Sequence, residues 1–309
     1  MRRYFAKAKS TFRAKNLKIE RAAALAPTFT AETKLAFGAM STPHMFEVHW
    51  SEAEGWSDPK IAPIQPLSIH PFNSTLHYAL STFEGQKAFK DAAGGLRLYR
   101  PDFHAKRFLE SCQRLSLPAF DPAEFQECLA QYVKVERDWI PQIPGSALYL
   151  RPLALSMTNV LGVHAANRSA ILIMASPVKD YFVKSSAGLR LDVNETYWRG
   201  TPHSASQYKI AANYGPTVKL SREAEQQGFS QCIWTFDECM LESGATNLFF
   251  LIKGEGEKLR LLTHPLDGSI LPGATRDSLI KLASKIDPNV TVEERPIKIS
   301  EFIDWHGKG

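Results

Sequence analysis

Two hydrophobic periods alternate along the chain. Phe46-Glu47-Val48-His49-Trp50 places apolar side chains at every second position, the period of a strand with one buried face. Lys87-Ala88-Phe89-Lys90 and Leu96-Arg97-Leu98-Tyr99 flank turn residues 92–95 and predict a hairpin. From Asp102 to Leu115 the period lengthens, with Phe108, Leu109, Cys112 and Leu115 on one face of a helix. Asp121-Pro122-Ala123-Glu124 then offers an N-cap, a proline at N1 and a glutamate at N3. It predicts a second amphipathic helix carrying Phe125, Cys128, Leu129, Tyr132 and Val133. Residues 147–152 and 170–175 are short apolar runs, as in buried strands.

Prolines through 59–71 predict a loop, and 177–188 predict a connection between two domains with its boundary near residue 183. Beyond it the pattern gives a loop over 199–206 and a helix from Pro216 to Gln227 stopped by Gly228. Strands follow over 232–236, 245–252 and 259–263, and then a helix from Ala274 to Lys285 with Leu279, Ile280, Leu282 and Ile286 on its apolar face. The order of elements predicts a mixed α/β (α+β) protein of two domains, a smaller one over 30–182 and a larger one over 183–309. Residues 1–25 stand apart as a leader.

Composition changes this picture little: the chain is 44% hydrophobic and 22% charged, as expected for a globular protein with a sizeable core. Charge changes it more. The formal net charge is +5, yet Arg2, Arg3, Lys7, Lys9, Arg13, Lys15 and Lys18 fall before the first acidic residue, and without them the chain is near neutral. Nucleic-acid binding therefore loses its main support. The basic segment, with Ser10, Thr11 and spaced apolar residues, lacks the continuous apolar stretch of a secretory signal. Two readings fit it: a mitochondrial transit peptide, or a basic tail on a cytosolic protein. Cys112, Cys128, Cys232 and Cys239 form neither a Cys-x-x-Cys pair nor a Cys/His comb, so neither a metal site nor a disulfide scaffold is indicated. No apolar run is long enough to span a bilayer, so no membrane partner is expected.

The stretch from Gln207 to Thr217 holds the candidate chemistry. Lys209 has small or aromatic sequence neighbours without opposite charge, a setting that lowers an amine's pKa toward nucleophilic behaviour. Asn213-Tyr214 follows at a spacing that brings a phenol near the amine, and Gly215-Pro216 breaks the backbone. An ordinary solvated lysine is the alternative at this point.

Taken in order, several stretches resemble the branched-chain amino acid aminotransferases, which are class IV, fold-type-IV pyridoxal-phosphate enzymes. They are Leu76-His77-Tyr78, Phe83-Glu84-Gly85-Gln86-Lys87-Ala88-Phe89, Tyr149-Leu150-Arg151-Pro152, Lys209 with Asn213-Tyr214-Gly215, Glu242-Ser243-Gly244-Ala245-Thr246-Asn247, and Leu271-Pro272-Gly273-Ala274-Thr275-Arg276. The resemblance implies a two-domain fold and pyridoxal 5'-phosphate as cofactor. It implies amino transfer between Leu, Ile or Val and 2-oxoglutarate, and a homodimer.

By the same resemblance, Lys209 is the Schiff-base lysine and proton carrier, Glu242 partners the pyridine nitrogen, and Tyr214 meets the cofactor's 3′-oxygen. Arg107, Ala274 and Thr275 receive the phosphate, in agreement with the anion-binding character of a helix N-terminus. Tyr78, Phe83, Tyr149 and Tyr181 wall the substrate side chain, Arg151 meets a second carboxylate, and Thr246 lies near the α-carboxylate. The chain departs from the family pattern at Ser204-Ala205-Ser206 and Ala211-Ala212, where glycines are usual, and it ends at Gly309, where relatives continue for several tens of residues. The expected larger domain is thus incomplete, which leaves open a non-catalytic truncated paralogue. D-amino acid transamination or lyase chemistry on the same fold is a further alternative.

Overall fold

Strand-forming alternation dominates the first half of the chain and produces one mixed sheet. In the computed structural model, which describes residues 11–23, 27–179, 188–254, 256 and 258–307, its strands are β1 (Lys18–Ile19), β2 (His44–Ser51), β3 (Gly55–Trp56), β4 (Lys60–Pro63), β5 (Ser81–Phe83), β6 (Gln86–Lys90), β7 (Leu96–Leu98), β8 (Ser146–Ser156) and β9 (Arg168–Lys179). The sheet runs β1-β4-β2-β9-β8-β6-β7, with β3 paired to β2 and β5 to β8. A short helix, α1 (Ser74–Tyr78), precedes β5; α2 (Pro101–Arg114) and α3 (Pro122–Val135) follow β7.

Strand parity decides which side chains meet the helices. Phe46, Val48, Leu148, Leu150, Ile171 and Ile173 share a core with Phe108, Cys112, Phe125, Leu129 and Tyr132 of α2 and α3. Met45, Leu155, Ala170 and Leu172 form a second cluster. Because successive side chains alternate, Tyr149 and Arg151 of β8 fall on the face away from Leu148 and Leu150. This places them where they are half-exposed and able to meet one another.

The start of α3 shows how local sequence fixes geometry. Asp121 caps it, its side chain accepting from the Ala123 N–H at 2.8 Å, with Pro122 at N1. Glu124 does not close a capping box. It reaches the chain's beginning instead, accepting from the Ala14 N–H at 2.7 Å and from Arg13 Nη1 at 2.9 Å.

That contact gives part of the expected leader of 1–25, residues 11–22, a structural place. Residues 1–10 and 24–26 lie outside the described residues, but Phe12 is 2% exposed and packs against Phe46, Trp56 and Phe120. Residues 18–19 form β1, parallel to β4. The Ala22 N–H donates to His44 Nε2 at 2.8 Å, and His44 Nδ1 pairs with Glu136 at 2.9 Å. Residues 11–22 thus form a strap that completes the sheet and core, because Phe12 removed from this site would leave buried apolar surface open.

A second unit spans Ser185–Lys209 and Asn213–Gly309; the first is Met1–Lys184 with Ile210–Ala212. In the second unit β10 (Leu191–Asn194), β11 (Gln231–Phe236), β12 (Cys239–Ser243) and β13 (Thr246–Asn247) form one sheet in that order. Against it, α4 (Val218–Gln226) packs Ala224 on Cys232 and Trp234. A three-stranded sheet follows from β14 (Phe250–Lys253), β15 (Leu259–Thr263) and β16 (Val290–Glu294), with helices α5 (Ala274–Ile286) and α6 (Ile299–Gly307). Ile233 of β11 and Met240 of β12 share one core with Leu262 and Ile297.

Four expectations change here. The 59–71 loop contains β4, which pairs with β2. The 177–188 connection begins later, since β9 runs to Lys179. The single strand expected over 245–252 is two short strands in different sheets, after a left-handed Gly244 at φ 51°. On α5, Leu279, Leu282 and Ile286 are exposed, and the buried side chains of that helix are Ala274 and Arg276.

Candidate active site

Lys209 and Tyr214 lie on one irregular turn of the second unit, five residues apart. Lys209 Nζ donates to Tyr214 Oη at 3.2 Å and lies 5.1 Å from the centre of its ring. The turn is held by Asn213, whose Nδ2 donates to the carbonyls of Ala205 and Tyr208, each at 2.9 Å. Thr217 Oγ1 donates to the Tyr214 carbonyl at 2.7 Å. The small residues at 204–206 therefore serve close packing. An added Cβ at Gly200 would meet Ser206 and the Ser269 carbonyl.

The same unit buries a carboxylate. Glu242 on β12 is 2% exposed and forms an ion pair with Arg199. Its Oε2 accepts from the Leu271 N–H at 3.3 Å and from Asn247 Nδ2 at 3.4 Å. Burial pushes the Glu242 carboxyl above the usual carboxylate range, while Arg199, the Leu271 N–H and Lys209 act in the opposite sense. The charge-free setting expected for Lys209 from its sequence neighbours is therefore corrected. A carboxylate far away in sequence is close enough to feel its charge. The Arg199 guanidinium carbon lies 5.4 Å from the Tyr214 ring centre, so two cations flank one phenol.

Ala274 and Thr275 open α5. Gly273 is its N-cap and no side chain caps it, which leaves the helix end to act as an anion seat. Thr275 is exposed and Ala274 is buried. Thr246 is exposed, and its hydroxyl donates to the Ser243 carbonyl at 2.9 Å.

In the first unit, Phe83, Tyr149 and Arg151 come together. The Arg151 guanidinium carbon lies 4.7 Å from the Phe83 ring centre and 5.3 Å from that of Tyr149, and Arg151 Nη2 donates to Tyr149 Oη at 3.1 Å. Phe37 stacks edge-on against Tyr149 at 4.8 Å. Gly85 is required beside them, because an added Cβ would lie 2.1 Å from Tyr149 Oη. Arg107 is not a solvated helix charge: it is 7% exposed, and its Nε and Nη2 fork onto Glu84 at 2.8 and 2.6 Å. The Tyr78 hydroxyl donates to the Leu161 carbonyl. Tyr181 lies outside the described residues.

Sequence reading assigned no role to Arg199, Asn247 or Glu84. A buried carboxylate at 242 demands a counter-charge, and that demand was the available signal for Arg199.

The family model for amino-transferase class IV matches residues 82–307. The chain belongs to this family. It is 40% identical to a branched-chain-amino-acid aminotransferase of Dictyostelium discoideum over 317 residues, covering 99% of this chain and 84% of that protein. The mitochondrial branched-chain-amino-acid aminotransferase of Bos taurus is 38% identical over 305 residues, covering 98% of this chain and 77% of that protein. Cytosolic relatives occur as well, one from Rattus norvegicus at 37% identity over 89% of this chain and 67% of that protein. In fold, this class IV chain resembles the pyridoxal-phosphate form of a branched-chain amino acid aminotransferase from Thermobaculum terrenum. The TM-score is 0.67 at 21% identity, covering 84% of this chain and 79% of that one.

Proposed function

We propose that this class IV aminotransferase uses pyridoxal 5'-phosphate to move the amino group of Leu, Ile or Val to 2-oxoglutarate. The observation that carries the reading is the amine–phenol pair of Lys209 and Tyr214 in the unit that also buries the Glu242–Arg199 ion pair. The residues fit the cofactor: a buried carboxylate suits a pyridinium nitrogen, and an uncapped helix start suits a phosphate. When bound, pyridoxal phosphate supplies the electron sink that makes the substrate α-proton acidic.

The chain supplies the rest. Lys209 Nζ would hold the cofactor and is the amine placed to move a proton at the substrate α-carbon. Glu242, paired with Arg199, would hold the cofactor's ring nitrogen, and Tyr214 Oη would meet its 3′-oxygen. The first turn of α5, with the Thr275 hydroxyl, would hold the phosphate, and Arg107, fixed by Glu84, is assigned to the same anion. Phe83 and Tyr149 offer apolar surface to a branched side chain, and Arg151 offers charge to the second carboxylate of glutamate. Tyr78, Tyr181 and Thr246 are assigned to the substrate on the family pattern.

Purified protein incubated with pyridoxal phosphate is expected to show the visible band of the bound cofactor, to change that band with leucine, and to lose turnover by about 10²–10⁴-fold in Lys209→Ala. A protein that stays colourless overturns the reading. We assign the protein to a homodimer, supported by the exposed Phe72, Leu76, Leu161 and Val163 of the first unit. Light scattering on the purified chain tests it. The basic start favours the mitochondrial matrix over the cytosol, and organelle fractionation decides between them.

A further inference from the structure

Asn247 faces Glu242 directly in the ladder between β12 and β13. Its Nδ2 donates to the Leu271 carbonyl at 2.8 Å and to Glu242 Oε2 at 3.4 Å. The Leu271 N–H donates to that same Oε2 at 3.3 Å. One amide therefore bridges a buried carboxylate and the peptide that leads into α5, and both contacts use its donor side.

The acceptor side points the same way. An added Cβ on Gly273, the N-cap of α5, would lie 2.1 Å from Asn247 Oδ1. Gly273 has φ −79° and ψ 139°, which any residue adopts. A side chain at 273 would thus force Asn247 to shift, whereas the backbone itself would accept one. The Asn247 amide is thus fitted to the carboxylate through one contact and to the peptide before the helix start through another.

We propose that Asn247 is a positioning residue that fixes the spacing between the Glu242 carboxylate and the first turn of α5. A ligand with a basic ring nitrogen at one end and a phosphate at the other then meets both groups without reorganising them. The inference rests on the reading of the site given above, and it adds a residue that lies between the two groups assigned to the ligand.

A double-mutant cycle tests it, with the dissociation constant of pyridoxal phosphate measured on the full chain for wild type, Asn247→Ala, Gly273→Ala and the double variant. Asn247→Ala is expected to weaken binding about tenfold, the factor carried by one lost buried hydrogen bond, and Gly273→Ala to weaken it to a similar extent by pushing Asn247 off the same contacts. The double variant should bind no more weakly than Asn247→Ala alone, because the methyl of Ala at 273 then has nothing to strike. In Asn247→Ala the pH midpoint of the bound cofactor's visible absorption should also move by about half a unit or more, as Glu242 loses a donor. A role confined to packing would lower the melting temperature of the unliganded chain and leave that midpoint in place.

Should Asn247→Ala fail to fold, Asn247→Ser opens the same space and carries the cycle. Losses that multiply in the double variant, or an unchanged dissociation constant in either single variant, overturn the inference while the wild type still binds. A wild type that binds no pyridoxal phosphate overturns the functional reading and this inference together.

Discussion

Glu84 has no exposed surface, and four groups converge on it: Arg107 Nε at 2.8 Å, Arg107 Nη2 at 2.6 Å, the Gly85 N–H at 2.7 Å and His104 Nδ1 at 3.2 Å. Burial alone pushes its carboxyl up, but Arg107 and His104 together outweigh it and hold the group at about 2. A carboxyl held below its unfolded value contributes stability that is complete above the ordinary carboxylate range and is lost as pH falls toward about 2. Glu84→Gln is therefore expected to cost about 3 kcal/mol at neutral pH and nearly nothing at the acid end. Urea unfolding at both pH values measures this. A pH-independent difference would assign the loss to packing. Lys209 and Tyr214 could be singled out from the sequence because amine and phenol are five residues apart on one turn. Glu84, Arg199 and Asn247 could not, because each acts by satisfying another side chain, and those partners lie 23, 43 and 5 or 24 positions away with no periodic signal to join them.

Among elements, α3 was readable to its cap, since Asp-Pro-x-Glu carries its own geometry in four residues. The β11–β12 hairpin was not. Phe236 pairs with Cys239 across a two-residue turn made by Asp237 and Glu238, at φ 48° and 59°. Such a turn normally announces itself as Asn-Gly, and here neither residue does so. The strain is consequently borne by two acidic side chains in the left-handed region. Replacing Asp237 with Asn and Glu238 with Gly should stabilise the second unit by about 1 kcal/mol, which thermal unfolding detects as a higher melting temperature. No change would mean that local contacts already compensate for the turn. β4 escaped notice for a related reason: Pro59 and Pro63 bracket a strand so short that their loop signal overrides its alternation.

At the scale of the whole molecule, the alternation of strand and helix periods was legible in the chain, whereas the packing of residues 11–22 was not. Their basic composition marked them as an address, and charge carries no information about burial. Phe12→Ala is expected to destabilise the chain by about 3–5 kcal/mol, while Lys15→Ala, on an exposed side chain, should be nearly neutral. Denaturant unfolding of the two variants provides the comparison. Equal stability would show the strap to be dispensable. The strap also bears on how the protein assembles. Arg13 and Ala14 meet Glu124 across 111 and 110 residues of chain, so this segment finds its seat only after α3 has been synthesised. Contacts so distant in sequence raise the contact order of the fold, which goes with slower folding. Until then Phe12 remains an uncovered aromatic that nascent-chain chaperones can bind.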